Sequence, residues 1–485
     1  MMTRLMSLTL NNVKNVRHGT VDFPVLASGG SVTGIYGANG SGKTSVIDAL
    51  ELLKQTMSGM PIAASSGELV TIGESAMTLT AIFRMDLQPR RYLKYSVDYR
   101  KGNMGLAIEK ESFSFLDTPE QTGRPIIVND NAKDTELGLS PDYLWRSLAL
   151  NHGGRNAVIF ARRDVMLERR SYLFSDDFLG LMSDAESNID ELSLRAMSRI
   201  HDVRALSEAA SQLKRYARNG ISILSTKNTA SVSYSLLPLS MPTEDDGPSA
   251  RFLDLLGENV VIERDMEKLN RNVRMFNQVL PMMVSGLTIR LKEIDTRLMD
   301  DGNIGVRFEP VSVRNGLEVP LRNESEGIVR IVSMLAYLIQ AFNNPNACVA
   351  IDELDTGIFE YLFGEMLGEF AKGAQGQLIF TAHNLRPMER MQPISDMIVL
   401  STLDPRNRFI PYRGLGKTNN PRRQYFNALE LGGTTVPLYK GGMTQLIGAG
   451  FNLAGNEHDQ IDQQVEDGMR ALLDVPVDGL EETLR

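Results

Sequence analysis

Residues 34–44 read GIYGANGSGKT. The apolar run SVTGIYG leads into them, and SVIDALELLKQTM leads out with Val46, Ile47, Leu50 and Leu53 on one helical face. Buried strand, glycine loop, helix is the context in which such a loop wraps a phosphate chain. Glycines at 37, 40 and 42 let backbone N–H groups turn toward phosphate oxygens, and the helix beginning near Lys43 adds its positive end. Lys43 is expected to reach the terminal phosphates and Thr44 to hold Mg²⁺ through its hydroxyl. The candidate nucleotide contacts here are Gly37, Asn39, Gly40, Ser41, Gly42, Lys43 and Thr44, with ATP and Mg²⁺ as the expected ligands.

About three hundred residues later, ACVAIDELDT reads as a short apolar strand ending in Asp352 and Glu353. Asp352 is placed to hold Mg²⁺, and Glu353 to orient or deprotonate the attacking water. An apolar strand followed by two acids is common in purely structural settings; the phosphate loop upstream gives this pair its functional reading. QLIFTAHN is a further apolar strand, with His383 just past its end, where it can hydrogen-bond a terminal phosphate. A histidine there is otherwise ordinary polar surface. In LRNESEGIVRIV, Ser325, Glu326 and Gly327 open an apolar helix. Serine and glycine at a helix N-terminus offer a hydroxyl and open N–H groups to an anion, although serine is also an ordinary cap.

The rest of the chain divides by pattern. Residues 3–23 read as two short strands around the turn-like NNVKNVRHG. AMTLTAIFRMD, RYLKYSVDYRK and MGLAIEKESFSF alternate apolar and polar, with Leu93, Tyr95, Val97 and Tyr99 on one face, and predict an antiparallel sheet with one wet face. Helical periodicity then dominates, in two arms of about 35 residues, or ~50 Å each at 1.5 Å per residue, joined at a polar tip over 225–250. LTIRLKEI and IGVRFEPVSVRNGLEVPL return to strands. The expected division is an N-terminal lobe over 1–135, inserted helical arms over 136–285, a C-terminal lobe over 286–403 and an extension over 404–485.

Net charge is −9, which argues against a chain coated in basic surface but leaves room for a local basic groove. The one cysteine, Cys348, lies in the apolar run ACVAI and reads as a buried small residue. Five scattered histidines and no paired-histidine motif make a dedicated zinc site an unfavoured reading. The N-terminus has no apolar signal core and the chain no long apolar run, so a cytoplasmic location is expected.

GANGSGKT, ESEG, AIDELDTG and TAHN stand in the order found in cassette-type (ABC) ATPases, and the chain resembles that group, which includes chromosome-maintenance (SMC), recombination-repair and OLD-type defence ATPases. The resemblance covers about residues 1–60 and 285–400. It implies an α/β fold: an ABC-ATPase-type nucleotide-binding domain with an antiparallel β subdomain and an inserted short helical-arm region. It also implies a homodimer with two ATP molecules between subunits. Lys43, Thr44, Asp352, Glu353 and His383 would come from one chain and Ser325 and Gly327 from the other, with Asp355 at the seam. Glu326 departs from the family, which has glycine there. Gln55 follows Lys43 too closely to be the family's sensor glutamine, and that position stays open. IDELDTGIFEYLFGEML, QLIFTAHNLRP and LDPRNRFI further resemble compact ATPases of prokaryotic defence operons, those of PARIS type in particular.

Three functions follow as expectations. The first is a slow ATPase acting as sensor and scaffold in anti-phage defence. It would form dimers or a higher oligomer of dimers and hold a separate effector, such as a TOPRIM-type nuclease, until a phage trigger protein arrives. Asp459, Asp462, Glu466 and Asp467 read as a solvated helix face and not as that nuclease's metal cluster. The second is a DNA-repair or chromosome-maintenance ATPase, with ARRDVMLERR (161–170), Arg406, Arg408 and the arginines of PRR (421–423) as phosphate contacts. The third, a transporter subunit, is disfavoured by the inserted arms and the lack of any membrane span.

Overall fold

The run before the glycine loop forms the strand Ser31–Gly37, buried at all but its last residue. In the computed structural model, which describes residues 2–86, 92–103, 105–132, 138–141, 155–187, 194–225, 236–238, 252–299, 302–412, 420–431, 438 and 451, this strand lies inside a central sheet. Among the described residues the order is Phe409–Pro411, Ile398–Ser401, Ser31–Gly37, Gln377–Thr381, Cys348–Ile351, Ile221–Leu224. All neighbours are parallel except the outer pair Phe409–Pro411 and Ile398–Ser401.

The strands are apolar throughout because both faces are covered. Successive side chains point to opposite faces. Ile35, Cys348, Ala350, Ile379 and Val399 enter one core with the helix Lys43–Met57. Their neighbours Tyr36, Val349, Ile351, Leu378, Phe380 and Leu400 enter a second core with the helices Glu326–Asn343 and Glu360–Gly373.

The first core is closed by an antiparallel sheet in the order Val16–Asp22, Thr3–Val13, Ala76–Met85, Tyr92–Gly102, Gly105–Leu116, Ile127–Asp130, Leu139–Ser140. Leu93, Tyr95, Val97 and Tyr99 are all buried, as their alternation predicts. The opening turn is tighter than the sequence implied: Val13 pairs with Val16, leaving Lys14 and Asn15 at the tip. A bulge between the pairs Asp98–Lys110 and Tyr99–Ile108 shifts the phase of Gly105–Leu116 and turns Glu111 inward.

The insertion is not a pair of arms meeting only at a tip. Asp176–Ser187 and Leu194–Arg215 are helices that pack together, but at Gly220 the chain enters Ile221–Leu224, the edge strand of the central sheet. Four apolar residues are too few to show a strand period, so this strand was hidden inside a helical pattern. The second expected arm begins instead as the strands Phe252–Asp254 and Asn259–Ile262. A turn intervenes in which Asp254 Oδ1 accepts from Leu256 N at 2.9 Å. Its helix is Glu263–Met283. The helix packs on a small antiparallel sheet ordered Asn259–Ile262, Ile304–Arg314, Thr288–Leu298, with Leu317–Pro320 paired to Ile304–Arg314. Most of the expected polar tip, and the acidic residues at 459–467, lie outside the described residues. The architecture is α/β, a mostly parallel central sheet covered on both faces, with the expected antiparallel β subdomain.

Candidate nucleotide-binding site

The phosphate loop starts where Ser31–Gly37 ends and finishes at Gly42, the cap of the helix Lys43–Met57. Gly40 and Gly42 take φ of 75° and 93°, which only glycine adopts without strain. A Cβ on Gly42 would also lie 3.0 Å from Asn15 Oδ1 and from Val16 Cγ2. The tip of the first hairpin therefore braces the loop: Asn15 Nδ2 donates to Gly40 O, and Ser45 Oγ donates to Asn15 Oδ1 at 3.4 Å. Arg408 locks the same tip from beneath, donating to Asn15 O at 2.5 Å and to Thr402 O at 2.7 Å.

Lys43 is buried, with Nζ donating to Gly37 O and Ala38 O at 3.0 Å each. Burial pushes its ammonium below the ordinary lysine value, and the charges of Asp352, Glu353 and Asp355 oppose that shift. Asn39 is exposed, while Ser41 Oγ is buried without a hydrogen-bond partner.

The two halves of the site meet at Asp352, which is 1 % exposed. Its Oδ1 accepts from Thr44 Oγ1 at 3.3 Å and from Thr381 Oγ1 at 2.6 Å, and its N–H donates to Leu224 O at 2.9 Å. Thr381 Oγ1 in turn accepts from Glu353 N at 2.7 Å. Glu353 sits at φ 50°, a left-handed conformation costing about 1–3 kcal/mol for a side chain of this kind. Asp355 Oδ2 accepts from the backbone N–H of His383 at 2.9 Å and of Asn384 at 2.7 Å, so it fixes the loop that presents the exposed His383. Lys43, Thr44, Asp352, Glu353, Asp355 and His383 thus gather around three neighbouring strand ends.

Ser325 and Gly327 stand apart from that set. Ser325 caps the helix Glu326–Asn343 without a side-chain cap bond. Among the described residues no hydrogen bond joins either to the phosphate loop. Gly327 instead meets Gly357: a Cβ on it would lie 2.4 Å from Gly357 O. On the next turn of the same helix, Arg330 donates to the carbonyls of Asp352 and Glu353.

The donor set fits a nucleotide with its metal. Positive-φ glycines, a buried lysine and an unpartnered buried hydroxyl suit a phosphate chain, and one hydroxyl beside one carboxylate suits Mg²⁺, which keeps most of its water. Among the described residues no group of three or more His, Cys, Asp or Glu could hold a metal alone.

Sequence reasoning missed Thr381, Asn15, Arg330 and Tyr36. Thr381 carried the one usable signal, a hydroxyl at the end of an apolar strand. Gln55 lies about 18 Å along its helix from Lys43, at 1.5 Å per residue, whereas Leu224–Ser225 adjoin the carboxylate strand. Two proposed DNA contacts are structural: Arg408 is buried beneath the loop. Arg162 is buried on Asn129 Oδ1, Asp130 O and Asn131 Oδ1. Arg406, Arg163 and Arg423 are exposed.

An AAA domain model matches residues 7–75. The DNA replication and repair protein RecF of Deinococcus radiodurans is 38% identical over 85 residues, 18% of this chain and 20% of that protein. The chain thus matches about a fifth of the length of that curated relative. The solved structures that superpose include three SMC head domains. That of Pyrococcus furiosus, bound to the C-terminal domain of ScpA, is 13% identical with TM-score 0.38, covering 85% of this chain and 96% of its own. That of Thermotoga maritima is 14% identical with TM-score 0.35, covering 84% and 99%. That of Pyrococcus yayanosii is 12% identical with TM-score 0.40, covering 88% and 100%. At that level of superposition the likeness carries no argument about function. Among the described residues no helix is long and apolar enough to cross a membrane.

Proposed function

We propose that the chain hydrolyses ATP and works as a pair of copies closing on two nucleotides. The contact of Thr44 Oγ1 with Asp352 Oδ1, between residues 308 apart, carries the ATP part of this reading, and the pairing rests on the resemblance of the Ser325–Gly327 segment to the cassette signature. Phosphate loop and carboxylate strand become one site there. When bound, Mg²⁺–ATP supplies a terminal phosphate whose charge the metal partly neutralises. Thr44 and Asp352 would hold the metal. Lys43 turns from the carbonyls of Gly37 and Ala38 to phosphate oxygens. Glu353 accepts the proton of the attacking water, and His383 hydrogen-bonds the terminal phosphate. Ser325 and Gly327 of a second copy close the site from outside. In a direct test, Lys43→Ala abolishes nucleotide binding, and Glu353→Gln binds ATP while lowering turnover at least ~100-fold, the low end for a general base. Normal turnover in Glu353→Gln would remove Glu353 as the base.

DNA repair or chromosome maintenance is the setting that the likeness to RecF supports. The exposed arginines at 163, 170, 406 and 423 are the strongest remaining candidates for DNA phosphate contacts, with Arg169 and Arg422 half-buried, and DNA affinity then falls steeply with added salt. The second reading, a defence scaffold holding a separate nuclease, rests on the segments that resemble PARIS-type ATPases such as the AriA protein. Native mass with ATP on protein purified with its neighbours separates the two. A stable complex with a nuclease-like or toxin-like chain supports defence, and an ATP-dependent dimer carrying only DNA supports maintenance.

A further inference from the structure

A cavity of about 590 Å³ opens beside the first residues of the phosphate loop. Gly37 and Ala38 form one wall, His383 another, and Arg422 of the helix Pro421–Leu431 a third. Gly37 and Ala38 are the two residues whose carbonyls hold Lys43 Nζ. A phosphate-loop lysine serves the terminal phosphates, so the cavity adjoins the terminal-phosphate end of the loop.

Two observations give the cavity a preference for an anion. Tyr36 lines it, is 1 % exposed, and its hydroxyl has no hydrogen-bond partner. A buried O–H donor without an acceptor is rare in a native fold and points to a partner supplied from outside. Across the space, Arg422 Nη1 stands 3.3 Å from Glu360 Oε1, with its side chain 36% exposed. A single-contact, partly exposed pair of that kind is weak. A guanidinium presented to phosphate forms two parallel charge-assisted bonds and prefers them.

We propose that Arg422 binds the terminal phosphate of the nucleotide held on its own chain's loop, leaving Glu360 to do so, with the Tyr36 hydroxyl as a second donor. This inference rests on the ATP reading above. It assigns the helix Pro421–Leu431 to distinguishing ATP from ADP, a task that nothing in the phosphate-loop, carboxylate and histidine segments gives to residues beyond 404.

Calorimetric titration of the full chain with Mg²⁺–ADP and with a non-hydrolysable Mg²⁺–ATP analogue tests it. Wild type should bind the analogue more tightly than ADP. Arg422→Ala should weaken analogue binding at least about tenfold while ADP stays within about twofold, the loss of a charge-assisted contact to one phosphate. Glu360→Gln breaks the ion pair but keeps the guanidinium, so analogue binding should hold or tighten. An Arg422→Ala chain with unchanged analogue affinity overturns the inference, as does one that loses both nucleotides equally. If Glu360→Gln weakens the analogue as Arg422→Ala does, the pair is structural and the inference fails. A wild type that binds neither nucleotide overturns the ATP reading itself, and this inference with it. A wild type that binds both, beside an unaffected Arg422→Ala, overturns this inference alone.

Discussion

One oxygen of Asp352 accepts from Thr44 and Thr381 together, and Thr381 also orients the backbone of Glu353. A single carboxylate therefore ties the phosphate-loop helix to two strand ends. Gly327 shows how one residue can serve two demands at once. The resemblance to cassette ATPases gives it to a second subunit's nucleotide. Within the chain, it is the residue that lets its helix approach Gly357, itself at φ 76°. Gly327→Ala is therefore expected to lower the unfolding free energy of the nucleotide-free chain by about 1–3 kcal/mol, the usual cost of overpacking. Thermal unfolding without nucleotide checks this. An unchanged midpoint would mean that the glycine matters only between subunits.

At the scale of elements, Glu111 pins the helical segment to the antiparallel sheet. It is fully buried and accepts from Tyr95 Oη at 3.0 Å, Asn129 Nδ2 at 3.0 Å, Tyr172 N at 2.8 Å, Leu173 N at 3.1 Å and Ser171 Oγ. Glu111→Ala strands several buried donors, and at ~1–3 kcal/mol for each group left unsatisfied the loss should reach at least ~3 kcal/mol. Denaturant unfolding measures it, and a loss below ~1 kcal/mol would show that water replaces the carboxylate. The sequence could not reveal this pin. Glu111 reads as a solvent-facing residue until the bulge at Tyr99–Ile108 turns it inward. The sheet itself was legible, because Leu93 to Tyr99 alternate without exception. The phosphate loop, the carboxylate strand and the strand before His383 were legible for another reason: each apolar run ends in a distinctive residue pattern, GANGSGKT, DE or TAHN. What could not be read depends on distant contacts. The edge strand Ile221–Leu224 is recognised only by its partner Cys348–Ile351, and Arg408 looks like free positive charge until Asn15 and Thr402 are found beside it.

Across the whole molecule, the central sheet divides two cores, and the site lies where its strand ends meet both. The helix of Ser325 and Gly327 belongs to the second core, yet Arg330 on that helix grips the backbone of Asp352 and Glu353. Movement of the helix against a second copy would therefore be felt at Glu353, the proposed base. On the proposed function, the chain alone should hold a nucleotide and two chains should complete the hydrolytic site. The direct test is the solution mass of Glu353→Gln with and without ATP, beside Glu353→Gln carrying Lys43→Ala as well. A dimer should form only with ATP and only where Lys43 is intact. A monomer at saturating ATP, or a dimer indifferent to both ATP and Lys43, would contradict it.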